Sequence, residues 1–225
     1  MNRFARNKAL IGDSGQHTLE KSHVLIVGVG GVGGYVAEML TRCGVGKLTV
    51  VDPDDVDITN INRQIIALDS TVGRSKVSVI AERMRDINPK VSISALETRY
   101  CKENAENIFS ADLFDYCVDA IDSVKDKVDL IVECKARNIP CISALGAGNR
   151  LQAEFKAVDI FSTSGDGLAK AVRSSLRKAG VSKHLAVCAT TSAVVNSVPP
   201  SSISYVPAMM GCVLAGEVVR CLLNK

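Results

Sequence analysis

The chain has 225 residues, of which 27 are basic and 24 acidic, so the formal net charge is only +3. This balance excludes a basic, tail-like nucleic-acid binder, and the 47% hydrophobic share excludes disordered, collagenous and coiled-coil classes. Eight cysteines without a Cys-x-x-Cys pair argue against framework disulfides and structural zinc, and they fit a reducing, cytoplasmic location.

The first part of the sequence alternates between strand and helix patterns. Apolar runs predict strands at Val24–Val27, Lys47–Val51, Val91–Leu96, Phe114–Ile121 and Pro140–Leu145. Apolar residues at helical spacing predict helices at Tyr35–Cys43, Val77–Ile87 and Val124–Arg137. This alternation predicts a doubly wound, mostly parallel α/β sheet of the Rossmann type, with ligands at the carboxyl ends of its strands.

The pattern loosens from residue 149 onwards. Gln152–Ile160 is typical of a strand and Leu168–Ala179 of a helix, whereas Ser197–Ser204 is linker-like but too short to separate domains. We therefore predict one domain over 1–225, with a nucleotide-binding core at about 20–150 and a looser, substrate-side part at 150–225.

The C-terminal stretch Ile203–Leu223 is apolar and long. Pro207, Glu217 and Arg220 interrupt it, which disfavours stable membrane insertion and favours a core or dimer-interface helix. Peripheral membrane association through this helix stays open as an alternative.

A glycine-rich loop, Gly28–Gly33, directly follows the first strand and opens a helix. Glycines keep Cβ atoms out of the path of a phosphate, and the helix N-terminus favours negative charge. Asp52 ends the second strand, where it can accept hydrogen bonds from ribose hydroxyls. These residues alone suit NAD, FAD and ATP equally, and the alternative is that the glycines serve only close helix–strand packing.

The segment after Asp52 favours a triphosphate over a dinucleotide. Asn60, Arg63 and Lys76 place an amide and two cations just beyond the ribose site, where a dehydrogenase has no need of them. Asp122 follows the fourth strand at the same edge and is placed to bind Mg²⁺. The alternatives are that Arg63 and Lys76 are solvated charges and that Asp122 is a helix N-cap.

Seven motifs occur in chain order. They are Arg3-Phe4-Ala5-Arg6, the glycine loop, Asp52-x-Asp54, Thr59-Asn60-x-Asn62-Arg63-Gln64, Val72-Gly73-x-x-Lys76, Ile87-Asn88-Pro89 and Asp119-x-x-Asp122. Together they resemble the adenylation domain of the ubiquitin-activating-enzyme-like superfamily (the ThiF, MoeB and HesA group), over about the first 150 residues.

The resemblance implies an ATP- and Mg²⁺-dependent adenylating ligase, in which a carboxylate attacks the α-phosphate and releases pyrophosphate. It implies catalytic roles for Arg6, Arg63, Lys76 and Asp122, and nucleotide-binding roles for Gly28, Gly30, Gly31, Gly33, Asp52, Asp54, Asn60, Asn62 and Gln64. Asp122 would hold Mg²⁺, and Arg6 would reach the triphosphate of the neighbouring subunit in a homodimer.

The second half resembles one zinc-free branch of the superfamily, because it lacks the paired cysteines of the sulfur-carrier activators. Ala144–Gly148, Asp159–Phe161 and Ser202–Pro207 resemble the tRNA threonylcarbamoyladenosine dehydratases, although the segment 193–200 is shorter than in that family. This branch implies that the threonyl carboxylate of a modified tRNA adenosine is adenylated and then cyclised with loss of AMP.

Three alternatives remain. The same site could activate the C-terminus of a sulfur-carrier or ubiquitin-like protein, with a cysteine desulfurase or another sulfur-acceptor protein as a partner. A nicotinamide-dependent oxidoreductase would use only the glycine loop and Asp52, and a nucleotide sensor would bind ATP without releasing AMP.

A tRNA partner also calls for basic side chains outside the nucleotide site. Lys170, Arg173 and Arg177 share one face of the predicted second-half helix and are candidate phosphate contacts, with a solvated helix face as the alternative. Cys188 is a candidate reactive thiol, but its apolar neighbours favour a buried small hydrophobe.

Overall fold

The computed structural model of the protein describes residues 2–191, 193, 195, 197 and 200–224. Within them the chain forms the strands β1 His23–Val27, β2 Lys47–Val51, β3 Ser92–Leu96, β4 Tyr116–Asp119, β5 Cys141–Ala144, β6 Phe155–Asp159 and β7 Leu185–Ala189. The helices are α1 Ala5–Lys21, α2 Gly33–Cys43, α3 Lys76–Ile87, α4 Ala105–Ser110, α5 Val124–Ala136, α6 Gly167–Lys178 and α7 Tyr205–Leu223.

The seven described strands form one sheet in the order β3-β2-β1-β4-β5-β7-β6. All neighbouring pairs are parallel except β6 and β7, which pair antiparallel at one edge. This confirms the predicted doubly wound, mostly parallel Rossmann-like fold. The chain reverses its strand order between β1 and β4, and that reversal opens a ligand crevice at the carboxyl ends of these strands.

Two apolar layers cover the sheet. Residues of α2, α3 and α7 cover one face and residues of α4, α5 and α6 cover the other. All five residues of β1 are buried, as expected for a central parallel strand with helices on both faces. The unbroken apolar run that begins at Val24 is therefore explained by helices that cover both faces of β1.

Three elements were not predicted: α1, α4 and β7. Helix α1 is polar and kinks at Gly12, where φ is +75°, so it carries little apolar periodicity. The prediction for the fourth strand was two residues too long at its carboxyl end. Strand β4 ends at Asp119 because the carboxylate of Asp119 accepts a hydrogen bond from the Ile121 amide and turns the chain.

Helix α7 is long and apolar enough to cross a membrane by length and composition, which is weak support for membrane association. It also fits a core helix, because Met210, Leu214 and Val218 are buried. A Cβ at Gly211 would lie 2.7 Å from the carbonyl oxygen of Val32, so α7 crosses the start of α2 in close contact.

The division into a core at about 20–150 and a looser part at 150–225 stays a prediction. The segment 193–200, predicted to be short, includes Val194, Asn196, Val198 and Pro199, which lie outside the described residues.

Candidate active site

The glycine loop connects β1 to α2 and is shaped by close backbone contacts. A Cβ at Gly28 would lie 2.7 Å from the carbonyl oxygen of Ala120, and one at Gly33 would lie 1.8 Å from that of Gly28. Gly28 also has a φ of +89°. These two glycines are therefore required by packing, so the packing alternative holds for them whether or not a nucleotide binds.

Gly30 and Gly31 have a different environment. The nearest atom to a Cβ at Gly30 would be Nε2 of Gln64 at 3.7 Å, and a Cβ at Gly31 would lie 3.5 Å from Cγ of Arg63. No backbone contact requires glycine at these positions. The open surface they leave, next to an arginine and an amide, suits an approaching phosphate.

Asp52 ties the second strand to the glycine loop. Its Oδ2 accepts a hydrogen bond from the Val29 amide at 2.8 Å, and its Oδ1 accepts one from the Asp54 amide at 3.0 Å. The carboxylate is buried at the carboxyl end of β2, where ribose hydroxyls would approach.

Lys76 lies beside these carboxylates. Its Nζ is 2.7 Å from Oδ2 of Asp54 and 3.9 Å from Oδ1 of Asp52, and the side chain is buried. The alternative that Lys76 is a solvated charge is therefore wrong. The buried ammonium sits at the start of α3 and faces the site.

A short 3-10 helix, Ile58–Asn60, carries the next group of side chains. Asp57 caps it, and hydrogen bonds from Thr59 lower the pKa of the Asp57 carboxyl. Asn60 is buried and its Oδ1 accepts from the Asp57 amide at 3.2 Å. Arg63 is half-buried and donates to the Thr59 carbonyl and to Oδ1 of Asn62, both at 2.8 Å. Held in this way, Arg63 is not a freely solvated charge.

Gln64 brings an unpaired polar atom to the site. The residue is buried, its amide lies against Gly30, and its Oε1 has no hydrogen-bond partner among the described residues. Buried polar atoms are nearly always satisfied, so an unpaired acceptor beside a glycine loop fits a donor supplied by a ligand. The groups at the site fit ATP: the cations and amides suit its phosphates, and the Asp52 carboxylate can accept hydrogen bonds from its ribose hydroxyls.

Asp122 lies in the loop after β4 and is exposed. The alternative that it caps the following helix is wrong, because Ser123 is the N-cap of α5 and accepts from the Asp126 amide. An exposed carboxylate at the carboxyl edge is a suitable hard ligand for Mg²⁺. Sequence reasoning missed Arg99, which donates to Asp126 at 2.7 Å. This hydrogen bond raises the pKa of the Arg99 guanidinium, and the nearby Asp122 carboxylate adds to the rise.

Arg6 is not part of this constellation. Its neighbour Asn7 donates to the carbonyls of Arg42 and Cys43 at the far end of α2, whereas the glycine loop is at the start of that helix. Eleven helical residues span about 16 Å. Arg6 therefore cannot reach the site of its own chain, and its role toward a neighbouring subunit stays a prediction.

The second half closes over the glycine loop from the other side. Nδ2 of Asn62 donates to the Ser202 carbonyl at 3.0 Å, and Pro207 lies 3.4 Å from the Cβ position of Gly31. Ser202–Pro207 thus borders the predicted phosphate site.

The predicted nucleic-acid face lies on α6, away from the buried side formed by Ala169, Val172 and Leu176. Lys170 is exposed, whereas Arg173 donates to Oγ1 of Thr163 and the Arg177 guanidinium lies 5.4 Å from the centre of the Phe161 ring. Only Lys170 among the three extends without such a partner in the described structure.

The cysteines are free thiols at all eight positions. Burial raises the pKa of the Cys188 thiol, which supports its interpretation as a small hydrophobe. Cys117, Cys134 and Cys141 lie together in the core, where hydrogen bonds from the other two thiols lower the pKa of Cys134. The absence of structural zinc stays a prediction.

Comparison with known proteins adds to this geometry. A model of the ThiF family matches residues 4–225. The tRNA threonylcarbamoyladenosine dehydratase of Bacillus subtilis is 41% identical over 244 residues, which cover 100% of this chain and 96% of the relative.

Solved structures similar to this chain belong to the same class of enzyme as the sequence relatives. The crystal structure of Escherichia coli tRNA N6-threonylcarbamoyladenosine dehydratase in complex with AMP superposes with a TM-score of 0.95 at 33% identity, covering 99% of this chain and 94% of that one. The complex of the same enzyme with ATP gives a TM-score of 0.93 at 32% identity and the same coverage. The match extends over the glycine loop and all other described elements, and the chain belongs to the ThiF family.

Proposed function

We propose that the protein is an ATP-dependent tRNA threonylcarbamoyladenosine dehydratase. The threonyl carboxylate of the modified adenosine attacks the α-phosphorus of ATP, and pyrophosphate leaves. A nucleophilic atom of the adjacent carbamoyl group then attacks the acyl carbon and displaces AMP, so the nucleoside closes a ring and loses one water in total.

One observation carries this proposal: polar and cationic side chains gather around the glycine loop, next to the Asp52 carboxylate. The side chains are those of Arg63, Gln64 and Lys76, and the loop residues are Gly30 and Gly31. Arg63 and Lys76 would stabilise the charge that develops on the α-phosphate during attack, which is the largest contribution that fixed groups make to such reactions. Asn60 and Asn62 would orient the phosphates. Asp52 would hold the ribose, and Asp54 would hold the Lys76 ammonium.

Mg²⁺ would be held by Asp122 and the phosphates, and it would neutralise charge on the leaving pyrophosphate. Because the attacking group and the activated acyl carbon belong to the same nucleoside, proximity supplies much of the second step, in which AMP is displaced, and no enzyme nucleophile is required. The Cys188 thiol is buried and burial raises its pKa, which agrees with a reaction that uses no cysteine nucleophile.

The site is completed, in this proposal, by a second copy of the chain. Arg6 lies too far from its own glycine loop to contact a nucleotide there, so a role in catalysis requires a homodimer. We place the enzyme in the cytoplasm with tRNA as its substrate, and sulfur-acceptor proteins as further candidate partners.

The test is AMP release from ATP and Mg²⁺ with and without tRNA that carries threonylcarbamoyladenosine, followed by mass spectrometry of the digested nucleosides. Loss of one water from that nucleoside, matched by AMP, is the expected result. AMP formation or pyrophosphate exchange that requires a Gly-Gly-ending protein instead would assign the site to a carrier protein. NADH binding without ATP turnover would contradict both.

Arg63→Ala and Lys76→Ala should each lower AMP formation by at least about 100-fold, the effect of removing one charge-stabilising donor from an active site. Arg74→Ala is the matched control, because Arg74 is an exposed residue of the same segment whose guanidinium pairs with Glu82. Near-normal turnover in both Arg63→Ala and Lys76→Ala, with the fold intact, would refute the site assignment.

A further inference from the structure

A fully buried ion pair is formed by two residues that flank Asp122, the candidate Mg²⁺ ligand, in the chain. Nζ of Lys127 is 2.8 Å from Oδ2 of Asp119, and neither side chain is exposed to solvent at all. An unpaired charge at such a position is strongly unfavourable, so each partner requires the other. Sequence reasoning placed Asp119 only within a motif and missed Lys127.

The Asp119 carboxylate accepts two further hydrogen bonds, one from a side chain and one from a backbone amide. Oδ2 also accepts from Oγ of Ser143 at 2.6 Å, and Oδ1 accepts from the Ile121 amide at 3.0 Å. The Ser143 hydroxyl has one proton and gives it to Asp119, so the ring nitrogen Nε2 of His184, at 2.7 Å, must donate to Ser143. The network is therefore satisfied and directional.

The ion pair joins the two ends of the chain segment that contains Asp122. Asp119 is the last residue of β4, and Lys127 is in the first turns of α5, so their contact joins the two ends of the connection that contains Asp122. The Ile121 amide is fixed to the same carboxylate. The backbone of Asp122 therefore lies between residues that are held by two fully buried side chains, those of Asp119 and Lys127.

The same ammonium reaches the second half of the molecule. Lys127 also donates to the Ala144 carbonyl at 3.0 Å, at the end of β5, where the loop toward Gly148 begins. On its other side, the loop at Ala120 packs against Gly28 of the glycine loop. Lys127 thus helps to position the loop after β4, which contains Ala120, and the loop after β5, which begins at Ala144.

We propose that Lys127 is a positioning residue for metal-assisted adenylation: through Asp119 it holds the 119–127 loop so that the Asp122 carboxylate meets the divalent cation. The proposal rests on the proposed function, because it uses the assignment of Asp122 as the cation ligand. Lys127 itself touches neither the nucleotide nor the cation.

The test is the affinity of Mn²⁺, a spectroscopic substitute for Mg²⁺, measured by electron paramagnetic resonance in the presence of a non-hydrolysable ATP analogue. Lys127→Met keeps an unbranched apolar stem of the same length but removes the ammonium, and it should weaken Mn²⁺ binding about tenfold, a large fraction of the effect of Asp122→Asn. Affinity for the analogue in EDTA should change less than about twofold. Lys125→Met, an exposed lysine of the same helix, is the matched control.

The decisive comparison is a double-mutant cycle. If Lys127 acts through Asp122, Lys127→Met in the Asp122→Asn background should weaken Mn²⁺ binding no further. A merely structural lysine would lower the folded fraction, leave the Mn²⁺ affinity of the folded protein unchanged and lower the melting temperature equally in both backgrounds. That result, or multiplicative losses in the double variant, would overturn the proposal.

Lys127→Met leaves Asp119 buried without its partner, so the single variant could fail to fold. Lys127→Met/Asp119→Asn removes both charges and keeps an acceptor for the Ile121 amide, and it should fold while still binding Mn²⁺ about tenfold more weakly. Wild-type affinity in that variant would refute the proposal. If the wild-type protein binds Mn²⁺ and ATP but does not dehydrate the tRNA nucleoside, the proposed function fails while the Lys127 result stands.

Discussion

The two sides of the carboxyl edge of the sheet are held by different kinds of contact. On the β1–β2 side, named the nucleotide side after the proposed function, the glycine loop fits against backbone atoms, with a Cβ position at Gly33 only 1.8 Å from a carbonyl oxygen. On the β5–β7 side, named the substrate side after the same proposal, polar side chains fix the loops. Oδ1 of Asn149 accepts from the Ser201 amide at 2.8 Å, and Oδ2 of Asp166 accepts from the Gly146 amide at 3.1 Å.

This difference predicts different sensitivities. Backbone packing on the nucleotide side leaves no room for an added atom, so a single methyl group is expected to be severe there. A hydrogen bond on the substrate side can be replaced in part by water, so its loss is expected to be milder. The buried ion pair of Lys127 and Asp119 connects the two sides.

The largest effect is expected for Gly33→Ala. The new Cβ would meet the Gly28 carbonyl oxygen, a backbone atom that cannot move without displacing the loop, so we expect a loss of about 3 kcal/mol in the free energy of unfolding, or no soluble protein. Gly30→Ala is the control, because its Cβ meets only the Gln64 amide at ordinary contact distance. It should fold normally and weaken ATP binding. Equal melting temperatures for the two variants would contradict the packing argument.

The contrast between the two sides also explains what the sequence could predict. Val24–Val27, the glycines and Asp52 form one strand–loop–helix unit in which each contact is local or between adjacent parallel strands, so a motif describes it completely. Lys76 also belongs to a motif of the same local kind, but its burial against Asp54 was not foreseen, and its role in the site stays a prediction.

The substrate side offers no such pattern. Strand β7 begins at the exposed Leu185 and continues through three buried residues, so it shows no clear alternation. Lys127 appears in the sequence as one of several charges on a helix, and only the fold brings it to Asp119 and Ala144. A lysine in line with the apolar residues of α5, such as Leu130 and Cys134, was the available signal.

A smaller loss is expected for Asp166→Ala on the substrate side. Asp166 is the N-cap of α6, accepting from the Ala169 amide at 2.9 Å, and it also accepts from the Gly146 amide. Losing both bonds should cost about 2 kcal/mol in the free energy of unfolding, and the Gly146 amide should exchange its hydrogen faster. Asp166→Asn keeps a capping oxygen and serves as the control. A loss as large as that of Gly33→Ala would erase the contrast between the two sides.

Two buried histidines, His23 at the start of β1 and His184 just before β7, extend the comparison of the two halves of the sheet to pH. Burial lowers the pKa of His23 and of His184 in the folded protein. The unfolded chain therefore binds protons more readily below its ordinary histidine pKa of about 6.5, and stability falls as the pH drops from there toward the folded-state values. Each histidine can contribute a slope of up to about 1.4 kcal/mol per pH unit.

The check is urea unfolding between pH 7 and 5.5, above the range in which carboxylates titrate. His23→Gln and His184→Gln should each flatten the acid side of the stability profile by one histidine's share, and the double variant should flatten it most. Gln can still donate to Ser143 in place of His184 or bond to Thr49 in place of His23. An unchanged slope in the double variant would mean that other groups take up the protons.

The smallest effect concerns the α6 face and tRNA. Lys170 is exposed, whereas the Arg173 guanidinium already donates to Thr163, so Lys170 is the freer of the two to contact a phosphate. Lys170→Gln should reduce the slope of log affinity against log salt by about 1, and Arg173→Gln should reduce it less. Lys90→Gln, an exposed lysine before β3 at the opposite edge of the sheet, should leave the slope unchanged. Equal slopes for Lys170→Gln and Lys90→Gln would show that α6 lies outside the tRNA interface, because one lost phosphate contact changes the number of counterions released whereas a distant charge does not.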